Sequence, residues 1–214
     1  MHRLFRFSAS CAALCLFAGA ALAQVPRVVT DIPAVHSLTA LVMGDLGAPV
    51  LLVDGASDPH HAQLRPSQAR ALARADVVFW IGADLTPWLA QSLDSLAPDA
   101  RVVTMLDIPQ TRLLGFDQRA ATAERAVDPH VWLDPENAAV WLPAIAEELS
   151  LQDPENRPTY LTNASAARQE VAALIADGRA QLAPATKVRI IVAHDAYGYF
   201  AQRFGLTIAG VLSD

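Results

Sequence analysis

The chain has 214 residues, of which 53% are hydrophobic and 18% charged, with 16 Lys and Arg against 22 Asp and Glu. Residues 1–23 hold two of the arginines and no acid, so the remainder carries 14 basic and 22 acidic residues, a net charge of −8. An acidic chain without basic runs excludes nucleic acid and anionic lipid as partners and suits a soluble protein that handles cations.

The first segment sets the compartment. Arg3 and Arg6 give a positive start, Ala12 to Ala21 is an apolar stretch, and Ala21-Leu22-Ala23 places small residues where a signal peptidase reads. The pattern predicts a secretory signal peptide over 1–23, cut after Ala23. Its apolar run is too short for a membrane span, which takes about 20 residues, so no direct membrane insertion of the mature chain is expected. Cys11 and Cys15 both lie inside it. The exported chain therefore offers no disulfide, thiolate or cysteine nucleophile, and a transition metal would have to be held by histidine and carboxylate.

Short β-branched runs then alternate with helical segments. Val28 to Thr30 is a strand, followed by a helix from about Val35 to Asp45 and a strand from Pro49 to Val53. A polar loop, Asp54 to Arg65, leads into a helix from Pro66 to Ala75, with proline in the first turn where its missing N–H does no harm. Val77 to Ile81 is a strand, Leu85 to Leu96 a helix and Arg101 to Met105 a fourth strand. This order predicts an α/β fold of βαβ units, a parallel sheet with helices on both faces. In such sheets ligands bind beyond the carboxyl ends of the strands, where the Asp54 to Arg65 loop sits.

Residues 107–128 read as a loop, and a helix is expected from Pro135 to Leu149, with Asp134 as its N-cap. After Asp153-Pro154 a longer helical stretch runs to about Leu182. Its apolar positions Leu161, Ala164, Ala167, Val171, Leu174 and Leu182 make one stripe, and about 25 residues would span roughly 37 Å. Val188 to Val192 is a strand, Ala196 to Phe204 a helix capped by Asp195, and Thr207 to Leu212 a further strand. The expected organisation is a signal peptide (1–23), an N-terminal βα lobe (24–150), a long linking helix (151–184) and the start of a C-terminal βα lobe (185–214). That last part is too small to bury a core of its own, so the second lobe reads as incomplete.

Five histidines remain after the leader: His36, His60, His61, His130 and His194. Three neutral imidazoles with one open position make a tetrahedral Zn²⁺ site, but these spacings are too wide for a local metal motif. The surrounding residues say more. His60 lies in Gly55-Ala-Ser-Asp-Pro-His-His-Ala-Gln-Leu-Arg-Pro-Ser67, His130 in Asp128-Pro-His-Val-Trp-Leu-Asp-Pro135, and His194 in Val192-Ala-His-Asp-Ala-Tyr-Gly-Tyr-Phe200. Together, in this order, they resemble the cluster 9 metal-binding proteins of ABC importers, and most closely the ZnuA-type zinc proteins of Gram-negative bacteria.

The resemblance implies two Rossmann-like βα lobes joined by a long rigid helix, with metal in the cleft between them. It implies His60 and His130 as ligands from the first lobe and His194 from the second. His194 stands where manganese-type relatives usually carry a glutamate, and an imidazole-rich site suits zinc over manganese. A fourth, carboxylate ligand is expected downstream of Asp214, with water as the alternative. The loop Gly115 to Val127 lacks the histidines that many zinc members carry there.

His61 becomes the ligand if the loop is shifted by one residue. His36 is read as a helix-capping or supporting residue, and Asp195 as a cap that could also orient His194. Trp132, Tyr197 and Tyr199 are expected to pack around the site. The implied function is high-affinity zinc capture in the periplasm, by a monomer that delivers the ion to a membrane permease driven by a cytoplasmic ATPase. A manganese or iron carrier of the same fold is the alternative. A three-histidine zinc hydrolase is a further one, although no general base is evident near the histidines.

Overall fold

The structure, a computed structural model, describes residues 24–55, 57–116 and 126–213. The expected signal peptide lies outside the described residues. Four strands form the first sheet: β1 (Val28–Thr30), β2 (Val50–Leu51), β3 (Val77–Trp80) and β4 (Arg101–Thr104), in the order β2-β1-β3-β4 and all parallel. Three helices connect them: α1 (Pro33–Met43), α2 (Pro66–Leu72) and α3 (Pro87–Leu96).

Side chains alternate across the sheet with the two-residue period of a strand. Val28, Val77 and Phe79 face a large core shared with Val35 and Val42 of α1. Val29, Val78 and Trp80 face a smaller one built on Leu72, Leu89 and Leu93 of α2 and α3. With both faces covered, β3 is buried at all four positions, and its unbroken apolar run is what a central parallel strand requires.

Two helix starts differ from expectation. Proline opens both α1 and α3, at Pro33 and Pro87, because its fixed φ suits a first helical turn. Periodicity alone placed the first boundary two residues late and the second two residues early. The α1 helix stops at Gly44, where φ is +54° and a Cβ would lie 2.7 Å from Asn163 Nδ2. That amide donates to the Val42 carbonyl at 3.1 Å, joining α1 to a helix more than 100 residues away.

Two long helices complete the large core: α4 (Pro135–Gln152, 18 residues) and α5 (Arg157–Leu182, 26 residues). The buried stripe of α5 is Tyr160, Ala164, Ala167, Val171 and Ile175, with steps of three and four. Leu174, expected in that stripe, is 61% exposed, since the register that buries Val171 brings Ile175 inward and turns Leu174 out.

Beyond α5 come β5 (Arg189–His194), α6 (Gly198–Phe204) and β6 (Thr207–Ser213), with β5 and β6 paired in parallel as a separate two-stranded sheet. The α6 helix packs closely on α5, where Gly178 leaves room for Phe204: a Cβ there would meet its ring at 2.8 Å. Among the described residues, no helix is long and apolar enough to cross a membrane.

Candidate metal centre

Three histidines meet between the two sheets. The ring nitrogens of His60, His130 and His194 that could serve as ligands all lie within 4.8 Å of one another. The rings stand 5.1–6.0 Å apart, centroid to centroid, in edge-on arrangements. The Nε2 atoms of His130 and His194 are 3.3 Å apart. Two nitrogens bound to one tetrahedral zinc at about 2.05 Å would be separated by about 3.3 Å, so this pair already has the spacing of a chelating pair.

Each histidine reaches the site by a different route. His130 sits just before a 3-10 turn, Val131–Leu133, that leads into α4. It is 4% exposed, and its neighbour Asp128 holds both its backbone and its ring. One carboxylate oxygen, Asp128 Oδ1, accepts from the His130 backbone N–H at 3.0 Å and from Nδ1 at 2.7 Å. A carboxylate oxygen can only accept, so Nδ1 is the donor to Asp128, and Nε2 faces His194. A carboxylate behind an imidazole in this way fixes the tautomer and makes the ring a better ligand. The Trp132 ring lies 5.3 Å from the His130 ring and covers it.

His60 lies in a turn within the loop after β2, which is tied down at several of its described residues. Trp88 Nε1 of α3 donates to the Pro59 carbonyl at 2.8 Å. Arg65 and Ser57 both bond the Asp54 carboxylate, at 2.7 Å each, and Gln68 Nε2 reaches back to the Leu52 carbonyl at 2.6 Å. Asp58 accepts from the His60 backbone N–H at 2.9 Å, the local bond for which an Asp two residues upstream is suited. Burial, with the neighbouring His130 adding to it, holds the His60 imidazole below its usual pKa and favours the neutral, ligating form.

His194 is the last residue of β5, exposed, and its ring completes the cluster from the second sheet. Two of the three histidines thus lie at or beyond the carboxyl ends of strands, where open parallel sheets bind ligands.

The other candidates fall elsewhere. His61 is 85% exposed and turned to Asp58 Oδ2, 2.9 Å from Nδ1, so the one-residue shift does not occur. His36 lies inside α1, past its start, with Nε2 3.1 Å from the Pro49 carbonyl. It ties α1 to the chain before β2 and is not in the cluster. Asp195 does not cap α6. A tight turn after β5, with Ala196 N–H on the His194 carbonyl at 2.9 Å, delays the helix to Gly198, so Tyr197 stands at the cap with no side-chain bond. Tyr197 is itself 44% exposed, and only Trp132 and Tyr199 pack as expected.

Asp134 does cap α4, accepting from Glu136 N–H at 3.1 Å. It also takes both ends of the Arg203 guanidinium, at 2.6 and 2.8 Å. Sequence reasoning missed the part played by Asp128, although an Asp two residues before a histidine is a visible signal for an Asx bond. It also missed Arg203, for which no local signal exists.

The chain matches the family described as zinc-uptake complex component A, periplasmic, over residues 28–214. The high-affinity zinc uptake system protein ZnuA of Paracoccus denitrificans is 41% identical over 222 residues, covering 90% of this chain and 68% of that protein. Its namesake in Brucella abortus is 33% identical over 251 residues, covering 100% of this chain and 74% of that one. Among solved structures, a zinc-bound ZnuA deletion mutant superposes with a TM-score of 0.77 at 26% identity, covering 88% of this chain and 71% of that chain.

Proposed function

The chain belongs to the periplasmic zinc-uptake component A family, and from that premise we propose that it captures one Zn²⁺ with His60, His130 and His194 for handover to an importer. The observation that carries this reading is the convergence of three imidazoles from three separate segments, with the His130–His194 nitrogens at 3.3 Å. Three nitrogen donors suit Zn²⁺, whereas carboxylate-rich sets suit Mn²⁺. The site binds and releases; it does not turn over a substrate.

In this reading residues 1–23 direct export to the periplasm and are cut after Ala23. The first lobe (24–150) holds His60 and His130, the helix of 151–184 spaces the lobes, and the second lobe, from 185 on, brings His194. A fourth ligand, carboxylate or water, completes the tetrahedron. The loaded protein docks as a monomer on the membrane permease of an ABC transporter whose cytoplasmic ATPase drives uptake. Because metal competes with protons for imidazole, affinity falls as pH drops.

A competitive Zn²⁺ titration with a thermal melt, run beside the triple variant His60→Ala, His130→Ala, His194→Ala, tests the reading. One zinc per chain is expected, absent in the variant. A ligand that binds only the folded state adds about 2.7 kcal/mol at a hundredfold excess over Kd, so the melt should rise with zinc in the wild type alone. Equal zinc binding by both proteins would reject the assignment.

A further inference from the structure

The α6 helix carries two side chains that reach across to the His130 segment. Tyr199 and Arg203 are four residues apart and so project from the same helix face. Tyr199 is fully buried. Its hydroxyl accepts the Leu114 N–H at 2.8 Å and donates to the Asp128 carbonyl at 2.9 Å. One turn further on, Arg203 grips the Asp134 carboxylate with two parallel bonds, the geometry that gives guanidinium–carboxylate pairs their orientational specificity. Asp128 and Asp134 are the two ends of the seven-residue stretch that bears His130, and both are buried.

The same helix follows closely on His194, which ends β5 with three residues between it and the start of α6. One short element thus holds one ligand at its root and both ends of the other ligand's loop. Asp134 has 0% exposure and takes a further contact from Arg112 Nη1 at 3.4 Å. Arg112 in turn bonds Gln202 of α6. Separating α6 from α4 would strip a buried carboxylate of its main partner, which is strongly unfavourable.

We propose that α6 is a clamp: Tyr199 and Arg203 act as positioning residues that hold the His130 loop at its chelating distance from His194 before the metal arrives. This deepens the zinc-capture reading and rests on it. Ligands held in place beforehand lose little freedom on binding, and the side chains that lock them are as much a part of the site as the ligands. The clamp would act chiefly on zinc release, since dissociation requires the two histidines to part.

Three variants test it: Tyr199→Phe, which removes only the hydroxyl, Arg203→Gln, which leaves Arg112 on Asp134, and the pair together. In the metal-free protein, amide hydrogen exchange of residues 126–134 is expected to speed up at least tenfold in the double variant, with β3 amides unchanged. With metal, zinc stoichiometry should stay at one while dissociation becomes about 10–100-fold faster, the range seen when supporting partners of metal ligands are removed. The visible bands of the Co²⁺-substituted protein should shift as the tetrahedron loosens. Unchanged exchange at 126–134 with unchanged zinc dissociation would overturn the clamp. So would faster exchange spread evenly over the whole fold, which would make these residues merely structural. If the wild type binds no zinc through its histidines, the zinc reading falls, and the metal-free exchange pattern still decides the clamp.

Discussion

The two sheets are built from the same kind of sequence and live in different surroundings. In the first sheet β3 is buried along its whole length, with helices on both faces. In the second, of which this chain holds two strands, Ile191 and Leu212 are 64% and 76% exposed, and the chain spans 68% and 74% of the length of the relatives it matches. The histidine cluster draws on both parts of the chain. His130 is enclosed and oriented by Asp128, whereas His194 stands open at the end of β5.

The largest effects should come from the enclosed side. Phe79→Ala, in the middle of β3, is expected to lower stability by about 3–5 kcal/mol, the usual loss for a buried aromatic. Chemical denaturation would measure it, and a loss under about 1 kcal/mol would mean that β3 is less well packed than the structure shows. Next comes Asp128→Asn. It keeps the shape but removes the charge that fixes the His130 tautomer, and should weaken zinc binding about 10–100-fold while leaving one zinc per chain. Isothermal titration would detect it. Unchanged affinity would mean that Asp128 serves only the loop backbone.

A smaller effect follows from His60. Its pKa is held down by burial in the native state, so below about pH 6.5 the unfolded chain takes up that proton more readily than the native one. His60 therefore leaves folding almost unaffected at neutral pH and opposes it increasingly as the pH falls through the imidazole range. Metal-free melts at pH 7.5 and 5.5 should show a larger acid loss in the wild type than in His60→Ala; equal losses would contradict this account. Ile191→Thr, on the open sheet, should change stability by under about 0.5 kcal/mol, as exposed positions do. A loss as large as that of Phe79→Ala would erase the contrast between the sheets.

The sequence carried much of this arrangement. The parallel βα order came from alternating apolar runs, and the length of α5 came from a helical pattern running from the Asp153-Pro154 break to about Leu182. The three histidines could be picked out only through the residues around them, because their mutual spacing has no local periodicity. What escaped were contacts made by the folded chain alone. Arg203 meets Asp134 across 69 residues, and Tyr199 meets Leu114 across 85; neither pair leaves a trace in hydrophobic patterning. The Asp195 assignment failed for the opposite reason. A favourable local cap pattern was present, but the backbone turn at His194–Ala196 forestalled the helix it would have capped. Leu174 and Ile175 are equally apolar, and which of them turns inward depends on how α5 rolls against α4.

The central claim is that imidazoles from three separate segments converge on one zinc ion. Zinc X-ray absorption of the protein loaded with one equivalent tests it most directly. The account predicts three imidazole nitrogens at about 2.0–2.1 Å with one further light-atom ligand, and a drop to two imidazoles in His194→Ala. A shell with one imidazole or none, or one unchanged by His194→Ala, would contradict it.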